Sequence, residues 1–296
     1  MASTSQRSPR SRVTTIDRAS MSLQTLSEWL RCPNCFLLLE PHDPLTLACA
    51  TGHSFDVNKR GYATMLPGPR KFIGDSAVML DARDRFQAGG WYEPLRHAIA
   101  ETIAAEHPLR VLDVGCGTGY YLRAALAGMS TARALGLDLS PVAVARTVRA
   151  DERIDGLVAD VWSPLPIRDG AAQVILNVFA PRNAAEFHRV LADRGLLLVV
   201  APHSTHLQEL RADGLALKIQ PDKATHLTTA LANHFDLESQ RSISLELSLS
   251  PTDVAALIDM GPSAHHLDPL TPVPATGPAR AVTAAFDLFS FRRHPS

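Results

Sequence analysis

The chain has 296 residues, with 29 Lys and Arg against 30 Asp and Glu, and its formal net charge is −1. At roughly 150 residues per domain, this length predicts one full domain and a smaller companion. Hydrophobic residues make up 46% of the sequence and charged residues 20%, which excludes a fibrous or wholly disordered chain. No apolar run approaches the ~18 residues of a membrane span, and the N-terminus lacks the apolar core of a secretory signal. We therefore expect no membrane association and a cytoplasmic location.

The first 21 residues are predicted to be a disordered basic tail. Residues 1–20 contain four Arg, one Asp and no aromatic residue, a composition that favours a solvated extension. A helical pattern follows, and Met21 just ahead of it is a second candidate for the start of translation.

Residues 22–72 contain a metal-binding pattern. Cys32 and Cys35 are separated by two residues, and Cys49 and His53 follow with three residues between them. Each half-site can form a tight turn that presents two ligands to one ion, and four ligands with no open position are typical of structural zinc. The alternatives are a redox pair at Cys32 and Cys35 or buried, inert cysteines.

A basic stretch follows the metal pattern. Between Ser54 and Phe72 there are four positive residues and one negative residue, with Tyr62 next to Lys59-Arg60-Gly61. Cations that attract phosphate and an aromatic ring that can stack on a base are typical of single-stranded RNA binding. A merely solvated loop is the alternative.

A glycine-rich loop predicts a nucleoside site further along the chain. The strand-like segment Arg110–Val114 contains Asp113 and leads into Gly115-Cys-Gly117-Thr-Gly119-Tyr120 and a helix. Glycines allow backbone N–H groups to approach a ligand closely. Position 120 is Tyr, so the dinucleotide fingerprint is not satisfied; the loop instead matches the S-adenosylmethionine loop of class I methyltransferases. Cys116 within it is interpreted as a small packing residue.

Strands and helices alternate after this loop. The second strand, Ala132–Leu137, leads to Asp138, whose carboxylate can accept both ribose hydroxyls of a nucleoside. A third strand ends near Asp160, which could contact the adenine amino group. A fourth strand, a helix and a fifth strand are predicted at Val174–Val178, Ala184–Leu191 and Gly195–Ala201. This alternation predicts parallel βαβ units with the ligand at the carboxyl ends of the strands.

The order of these motifs resembles that of RlmA-type 23S ribosomal RNA (guanine-N1)-methyltransferases, a family that includes housekeeping enzymes and members that protect macrolide producers. The resemblance runs from about Leu26 to Leu210. Besides the metal ligands, it depends on Gly61-Tyr62, Gly74-Asp75-Ser76, Arg83, Tyr92-Glu-Pro-Leu95, Asp113-Val-Gly-Cys-Gly, Ala180-Pro181 and His206-Leu-Gln-Glu-Leu210.

The resemblance implies roles that the residues alone leave open. It implies that Tyr92, Gly119, Tyr120 and His206 line the S-adenosylmethionine pocket, whereas without it Tyr92 would be a core aromatic and His206 a surface or helix-capping residue. It also implies a homodimer whose two halves form a cleft for an RNA hairpin. Family members commonly have His where this chain has Trp91, and the last ninety residues match only loosely.

Together these observations predict an α/β fold, with a small zinc-binding, RNA-contacting module (22–72) before a class I, Rossmann-like methyltransferase domain (73–296). The predicted zinc ligands are Cys32, Cys35, Cys49 and His53. The predicted cofactor residues are Tyr92, Asp113, Gly115, Gly117, Gly119, Tyr120, Asp138 and His206.

The expected reaction moves a methyl group from S-adenosylmethionine to N1 of a guanine in a 23S ribosomal RNA hairpin loop near the macrolide tunnel. The alternatives are a small-molecule methyltransferase and a non-catalytic, zinc-dependent RNA-binding protein. No motif identifies the group that accepts the N1 proton, and Asp75, Asn177 and His206 are the candidates.

Overall fold

In the computed structural model, residues 15–66, 68, 74–217, 222–261 and 276–295 are described. Within these ranges, helices alternate with strands that join into one eleven-stranded sheet. In chain order the elements are α1 (Thr15–Trp29), β1 (Glu40–Asp43), β2 (Thr46–Ala48), β3 (Ser54–Asn58), β4 (Tyr62–Thr64), α2 (Ala77–Ala88), α3 (Glu93–Ala105), β5 (Arg110–Val114), α4 (Tyr120–Ala127), β6 (Arg133–Asp138), α5 (Pro141–Ala150), β7 (Ile154–Val158), β8 (Ala172–Val178), α6 (Ala184–Val190), β9 (Leu191–Pro202), α7 (Gln208–Ala212), α8 (Lys223–Leu231), β10 (Phe235–Leu249), α9 (Pro251–Asp259) and β11 (Arg280–Arg293).

Five parallel strands form the centre of the sheet in the order β7-β6-β5-β8-β9. Their side chains are buried along nearly the whole strand, as in β5 and β8, because helices cover both faces of a parallel sheet. The order reverses beside β5, where a crevice forms at the carboxyl ends of the strands. The expected α/β fold with parallel βαβ units is confirmed.

Two long antiparallel strands complete one side of the sheet. β11 lies between β9 and β10, and its Phe286 is paired with Pro202 at the end of β9. The sequence analysis assigned no strand here, because the last ninety residues carry no motif. This insertion places the last strand of the chain beside the crevice.

The small N-terminal module joins the same sheet from the other side. Strands β1 to β4 form an antiparallel meander, and β4 pairs in parallel with β7, with Tyr62 opposite Gly156. Leu26, Trp29 and Leu30 of the first helical segment share one buried cluster with Leu135 of β6. The predicted boundary after residue 72 therefore divides the sequence, but the residues on its two sides share one hydrophobic core.

Helix α1 begins at Thr15, so residues 15–21 are helical where the sequence analysis expected a disordered tail. Arg18 donates hydrogen bonds to the backbone oxygens of Glu152 and Ile154, and the Thr25 hydroxyl contacts the buried carboxyl of Asp155. The prediction of a disordered tail rested on composition, which does not reveal these contacts with Glu152, Ile154 and Asp155.

Residues 1–14, Arg70 and Lys71 lie outside the described residues, as does most of Pro269–Pro278. Among the helices that are described, none is long and apolar enough to cross a membrane.

The junction between the module and the parallel sheet leaves no room for a side chain at Gly156. A Cβ there would lie 2.4 Å from Val144 Cγ1 and 2.6 Å from Tyr62 Cβ. We expect Gly156→Ala to lower the free energy of unfolding by about 1–3 kcal/mol, since overpacking forces neighbours to shift. Urea denaturation measures this loss. Gly128→Ala is the matched control, because a Cβ at Gly128 meets nothing within 4 Å; equal losses for both variants would contradict the packing at this junction.

Candidate cofactor and metal sites

The four predicted metal ligands lie together in the N-terminal module. The ligand atoms of Cys32, Cys35, Cys49 and His53 are all within 4.8 Å of one another. Cys35 Sγ is 3.6 Å from Cys49 Sγ, and His53 Nδ1 is 3.6 Å from Cys32 Sγ and 3.5 Å from Cys49 Sγ. Zn–S bonds of ≈ 2.3 Å and a Zn–N bond of ≈ 2.0 Å at tetrahedral angles separate ligand atoms by roughly 3.5–3.8 Å. The donor set therefore fits zinc.

A threonine hydroxyl supports this donor set. Thr51 Oγ1 lies 3.1 Å from each of Cys35 Sγ, Cys49 Sγ and His53 Nδ1. Hydrogen bonding with Thr51 is the largest influence on both sulfurs: it lowers the pKa of the Cys35 thiol and lowers the pKa of the Cys49 thiol to about 5. Burial raises the pKa of the Cys32 thiol, so two of the three thiols favour the thiolate, which is the form that ligates zinc.

Zinc content tests this site directly. We expect the purified chain to bind one Zn²⁺ and Cys49→Ser to lose most of it, because the remaining three ligands do not close a tetrahedral site. Cys116→Ser is the control, since Cys116 is buried outside the cluster and its loss leaves every ligand in place. Metal is counted by mass spectrometry after dialysis. Full zinc occupancy in Cys49→Ser would contradict the assignment.

A cavity of about 1090 Å³ opens at the carboxyl ends of the parallel strands. Every predicted cofactor residue except Gly119 lines it, namely Tyr92, Asp113, Gly115, Gly117, Tyr120, Asp138 and His206. Gly119 caps the N-terminus of α4 with φ 75°, and a Cβ there would lie 3.1 Å from Thr147 Cα. The absence of a side chain at Gly119 lets the start of α4 lie close to Thr147. A contact between Gly119 and the cofactor stays a prediction.

The glycine loop lies against two neighbours that shape the cavity. A Cβ at Gly115 would lie 2.4 Å from Ala180 Cβ, and one at Gly117 would lie 2.9 Å from the Arg83 guanidinium. Both glycines have positive φ values, 83° and 53°, a conformation that side chains disfavour. A ligand at this loop therefore meets backbone on one side and the Arg83 cation on the other.

Two buried acids lie behind the loop. Asp138 accepts backbone N–H bonds from Gly117 at 3.0 Å and Ser140 at 2.9 Å, although burial raises its pKa. Asp113 is 3% exposed and has no hydrogen bond within the described part of the chain. Burial, with a smaller contribution from Asp138, raises the pKa of Asp113 to about 8. This pair favours a cationic ligand, because a positive charge would stabilise both carboxylates.

The buried ring of Phe286 in β11 packs against three rings that line the cavity. Its ring centroid is 4.9 Å from that of Tyr92, 5.6 Å from that of Phe179 and 4.9 Å from that of His206. Tyr92 is buried there, which raises its pKa. The sequence analysis missed Phe286, because nothing in the sequence indicated that β11 inserts beside β9.

His206 is neutral and oriented by the backbone. The backbone N–H of Ala285 donates to His206 Nδ1 at 3.2 Å, which places the ring proton on Nε2. Burial, followed by the charges of Arg211 and Lys223, lowers the pKa of His206 to about 4. In this tautomer the ring offers a donor to the cavity and has no free acceptor for a proton.

The other two candidates for proton transfer differ in position. Asn177 does not line the cavity; its amide donates to the backbone oxygens of Val114 at 3.2 Å and Pro181 at 3.0 Å, so it holds the turn after β8. Asp75 lines the cavity, and one of its carboxylate oxygens is 2.6 Å from Arg83 Nη1. Asp75 is thus the acid of the three that can face a substrate.

The raised pKa of Asp113 predicts a pH effect on donor binding. Without ligand, Asp113 is protonated below about pH 8, and a bound cation favours the carboxylate. Binding must then release a proton, so affinity for S-adenosylmethionine falls as pH decreases from about 8 to 6. Asp113→Asn removes this proton release and flattens the profile. Calorimetry in buffers of different ionisation enthalpy measures it; equal proton release by both proteins would contradict the assignment.

Comparison with known proteins agrees with both sites. Residues 30–72 match the family model for the N-terminal zinc ribbon of RlmA, and residues 111–195 match a methyltransferase domain. The zinc cluster and the glycine loop fall within these two ranges. The zinc ribbon match also agrees with the geometry of the four ligands.

Two relatives match along most of the chain. A protein of Micromonospora griseorubida with the name 23S rRNA (guanine-N1)-methyltransferase is 40% identical, over 89% of this chain and 97% of the relative. The 23S rRNA (guanine(748)-N1)-methyltransferase of Streptomyces fradiae is 42% identical, over 81% of this chain and 87% of the relative.

The fold also has a counterpart among solved structures. The complex of the Haloferax volcanii Trm112 methyltransferase activator with a methyltransferase is 17% identical to this chain, covers 76% of it and 100% of the matched chain, and has a TM-score of 0.50. This likeness concerns the fold alone. With zinc ribbon, donor loop and full-length relatives in agreement, the chain belongs to the family of 23S rRNA (guanine-N1)-methyltransferases.

Proposed function

We propose that this protein transfers the methyl group of S-adenosylmethionine to N1 of a guanine in a hairpin loop of 23S ribosomal RNA near the macrolide tunnel. The proposal rests on the aromatic side chains at the mouth of the donor cavity. Two exposed aromatic side chains line it, Trp162 at 67% and Phe179 at 45% exposure. Exposed rings beside a donor site suit an unstacked base, which RNA-binding proteins hold by stacking.

The donor side of the cavity has the groups that S-adenosylmethionine needs. Bound there, this cofactor would supply a methyl group that is already electrophilic, so the protein has mainly to align it with the acceptor. Asp138 would accept from ribose hydroxyls, and the Asp113 carboxylate would stabilise the positive charge. Arg83, beside Gly117, would face the carboxylate of the methionine portion.

The acceptor side must receive a base that has left its pair. Guanine N1 carries a proton on the Watson–Crick edge, so the base has to be unpaired or flipped before it can react. Phe179 has φ 55°, a strained conformation that costs of order 1–3 kcal/mol and is concentrated at functional sites. The Phe179 ring lines the cavity and is 45% exposed, so it can stack on the base.

Methyl transfer also releases a proton. The nitrogen electron pair forms the new N–C bond, the S–C bond breaks with its electrons left on sulfur, and the N1 proton must leave. Asp75 is the acceptor that we propose, since its carboxyl group lines the cavity and His206 Nδ1 is occupied. Asp75→Asn should lower turnover at saturating cofactor and RNA; unchanged turnover would eliminate Asp75.

Radiolabelled methyl transfer tests the function. We expect label in an unmodified 23S ribosomal RNA transcript and a primer-extension stop next to one guanine, because a methyl group at N1 blocks pairing. Label found only in small metabolites would support a small-molecule methyltransferase instead. Donor binding without transfer to any acceptor would support a non-catalytic RNA-binding protein.

Phe179→Ala tests the stacking role. Base–aromatic stacking is worth ≈ 1–3 kcal/mol per base, so kcat/KM for RNA should fall about 5- to 150-fold. Affinity for S-adenosylmethionine should stay close to that of the parent protein. Phe179→Trp is the matched control, since it keeps an aromatic face and should retain most of the activity. A loss of donor affinity equal to the loss of activity would show that Phe179 shapes the donor site and not the base site.

Three further proposals follow from the family resemblance. We propose that the protein is a homodimer. Size-exclusion chromatography with light scattering tests this by measuring the mass of the particle in solution. A ribosomal RNA substrate also favours a cytoplasmic location. The modification could protect a macrolide producer, and comparing macrolide sensitivity with and without the gene tests that role.

A further inference from the structure

The charges around the cavity are divided between two walls. Acids occupy the side of the glycine loop, where Asp75, Asp113, Asp138 and Asp160 line the cavity. Cations occupy another side, with Arg182 in the loop after β8, Arg211 in α7 and Lys223 at the start of α8. Asp113 and Asp138 suit the cationic donor, and Asp75, which is paired with Arg83, is the proposed proton acceptor. The cations have no role in donor binding or in the proposed base stacking.

None of the three cations has a carboxylate within salt-bridge distance in the described part of the chain. Arg182 donates to Asn177 Oδ1 at 3.4 Å and to the backbone oxygen of Ala180 at 3.3 Å. Arg211 donates to the backbone oxygen of Ser204, and its Nε is buried without a partner. The Lys223 side chain has no hydrogen bond or ion pair to any described residue.

This arrangement differs from that of four other partly buried arginines, although Arg168 also bonds only to backbone oxygens, those of Leu30 and Leu39. Arg146, Arg153, Arg189 and Arg292 each pair with at least one carboxylate at 2.6–2.9 Å. Desolvated cations without a counter-ion are unfavourable. Burial lowers the pKa of both Arg182 and Lys223, and Arg182 lowers that of Lys223 further. The cluster is therefore arranged for an anion supplied from outside the protein.

We propose that Arg182, Lys223 and Arg211 form a subsite for a backbone phosphate of the RNA, next to the nucleotide whose base enters the cavity. This inference rests on the proposed function and adds to it a group that grips the substrate strand. Arginine offers forked N–H donors that match phosphate oxygens, and lysine adds a mobile point charge. A phosphate held at the mouth would keep the flipped nucleotide in place while its base stacks on Phe179.

The carboxylate of the donor is the other oxyanion that could bind here. Position favours the phosphate. The donor carboxylate already has Arg83 beside Gly117, on the acidic wall. The three cations instead surround the open side near Phe179 and His206, from which the polynucleotide must enter. Binding measurements with each ligand separate the two anions.

Lys223→Gln is the cleanest test, because no described residue depends on the Lys223 side chain for a hydrogen bond. Affinity for an unmodified 23S ribosomal RNA transcript should fall about 5- to 10-fold at ~0.1 M salt, and the slope of log K against log salt should decrease by about 0.7–0.9. Affinity for S-adenosylmethionine should not change. Arg182→Gln should give the same pattern. Because Arg182 also bonds within the turn after β8, thermal unfolding of this variant checks that the turn stays folded.

Arg194→Gln is the matched control. Arg194 is exposed near the amino end of β9, at the end of the strands opposite the cavity. Its loss should leave the salt dependence of RNA binding unchanged. If Lys223→Gln and Arg182→Gln both keep the parent slope while the parent methylates RNA, the phosphate subsite is wrong and the proposed function stands. Weaker donor binding with unchanged RNA binding would assign the cations to the donor carboxylate and overturn the proposal. A parent protein that binds no RNA would instead overturn the proposed function.

Discussion

The parallel pairing of β4 with β7 is the interaction on which the rest of the molecule depends. It makes a zinc module and a donor-binding domain parts of one sheet, with Gly156 as the close contact beside Tyr62. Four short strands around a metal cannot bury enough apolar surface to fold on their own. Zinc binding supplies much of the folding free energy of such modules. Here their buried residues continue into the core of the larger domain, so zinc holds the module in place on a domain whose own parallel strands form the donor cavity.

The division of charge within the cavity explains how one space can serve two very different ligands. The carboxyl groups of Asp113 and Asp138 favour a cationic methyl donor, and cations without a carboxylate partner favour an anionic strand. The exposed rings of Trp162 and Phe179 provide neutral surface for a base. These groups come from different parts of the chain: Asp113 and Asp138 from strands β5 and β6, and the cations from the segments after β8 and β9.

Much of the fold and of the donor site could be predicted from local sequence. Metal ligands and glycine loops depend on short spacings, so Cys32, Cys35 and the loop at Gly115 were found without tertiary information. Buried parallel strands also read as continuous apolar runs. The N-terminal helix was harder, because Arg18 is satisfied by backbone oxygens of Glu152 and Ile154, a partnership that no local pattern reveals.

The rest required the three-dimensional arrangement. Phe286 lies far along the chain from Tyr92, and only the insertion of β11 beside β9 brings their rings together. Lys223 and Arg182 are ordinary surface residues in the sequence, and their isolation from carboxylates is visible only in the folded chain. His206 was found by resemblance, whereas its neutral tautomer follows from a bond to the backbone of β11.

The most direct test of the central claim, that the zinc module and the donor cavity act as one RNA-modifying unit, is to measure methylation of the RNA and donor binding on the same metal-stripped protein. The account predicts that N1-methylguanosine formation is lost after zinc removal, returns when zinc is restored, and that donor affinity changes little throughout. RNA methylation at an unchanged rate without bound zinc would contradict it.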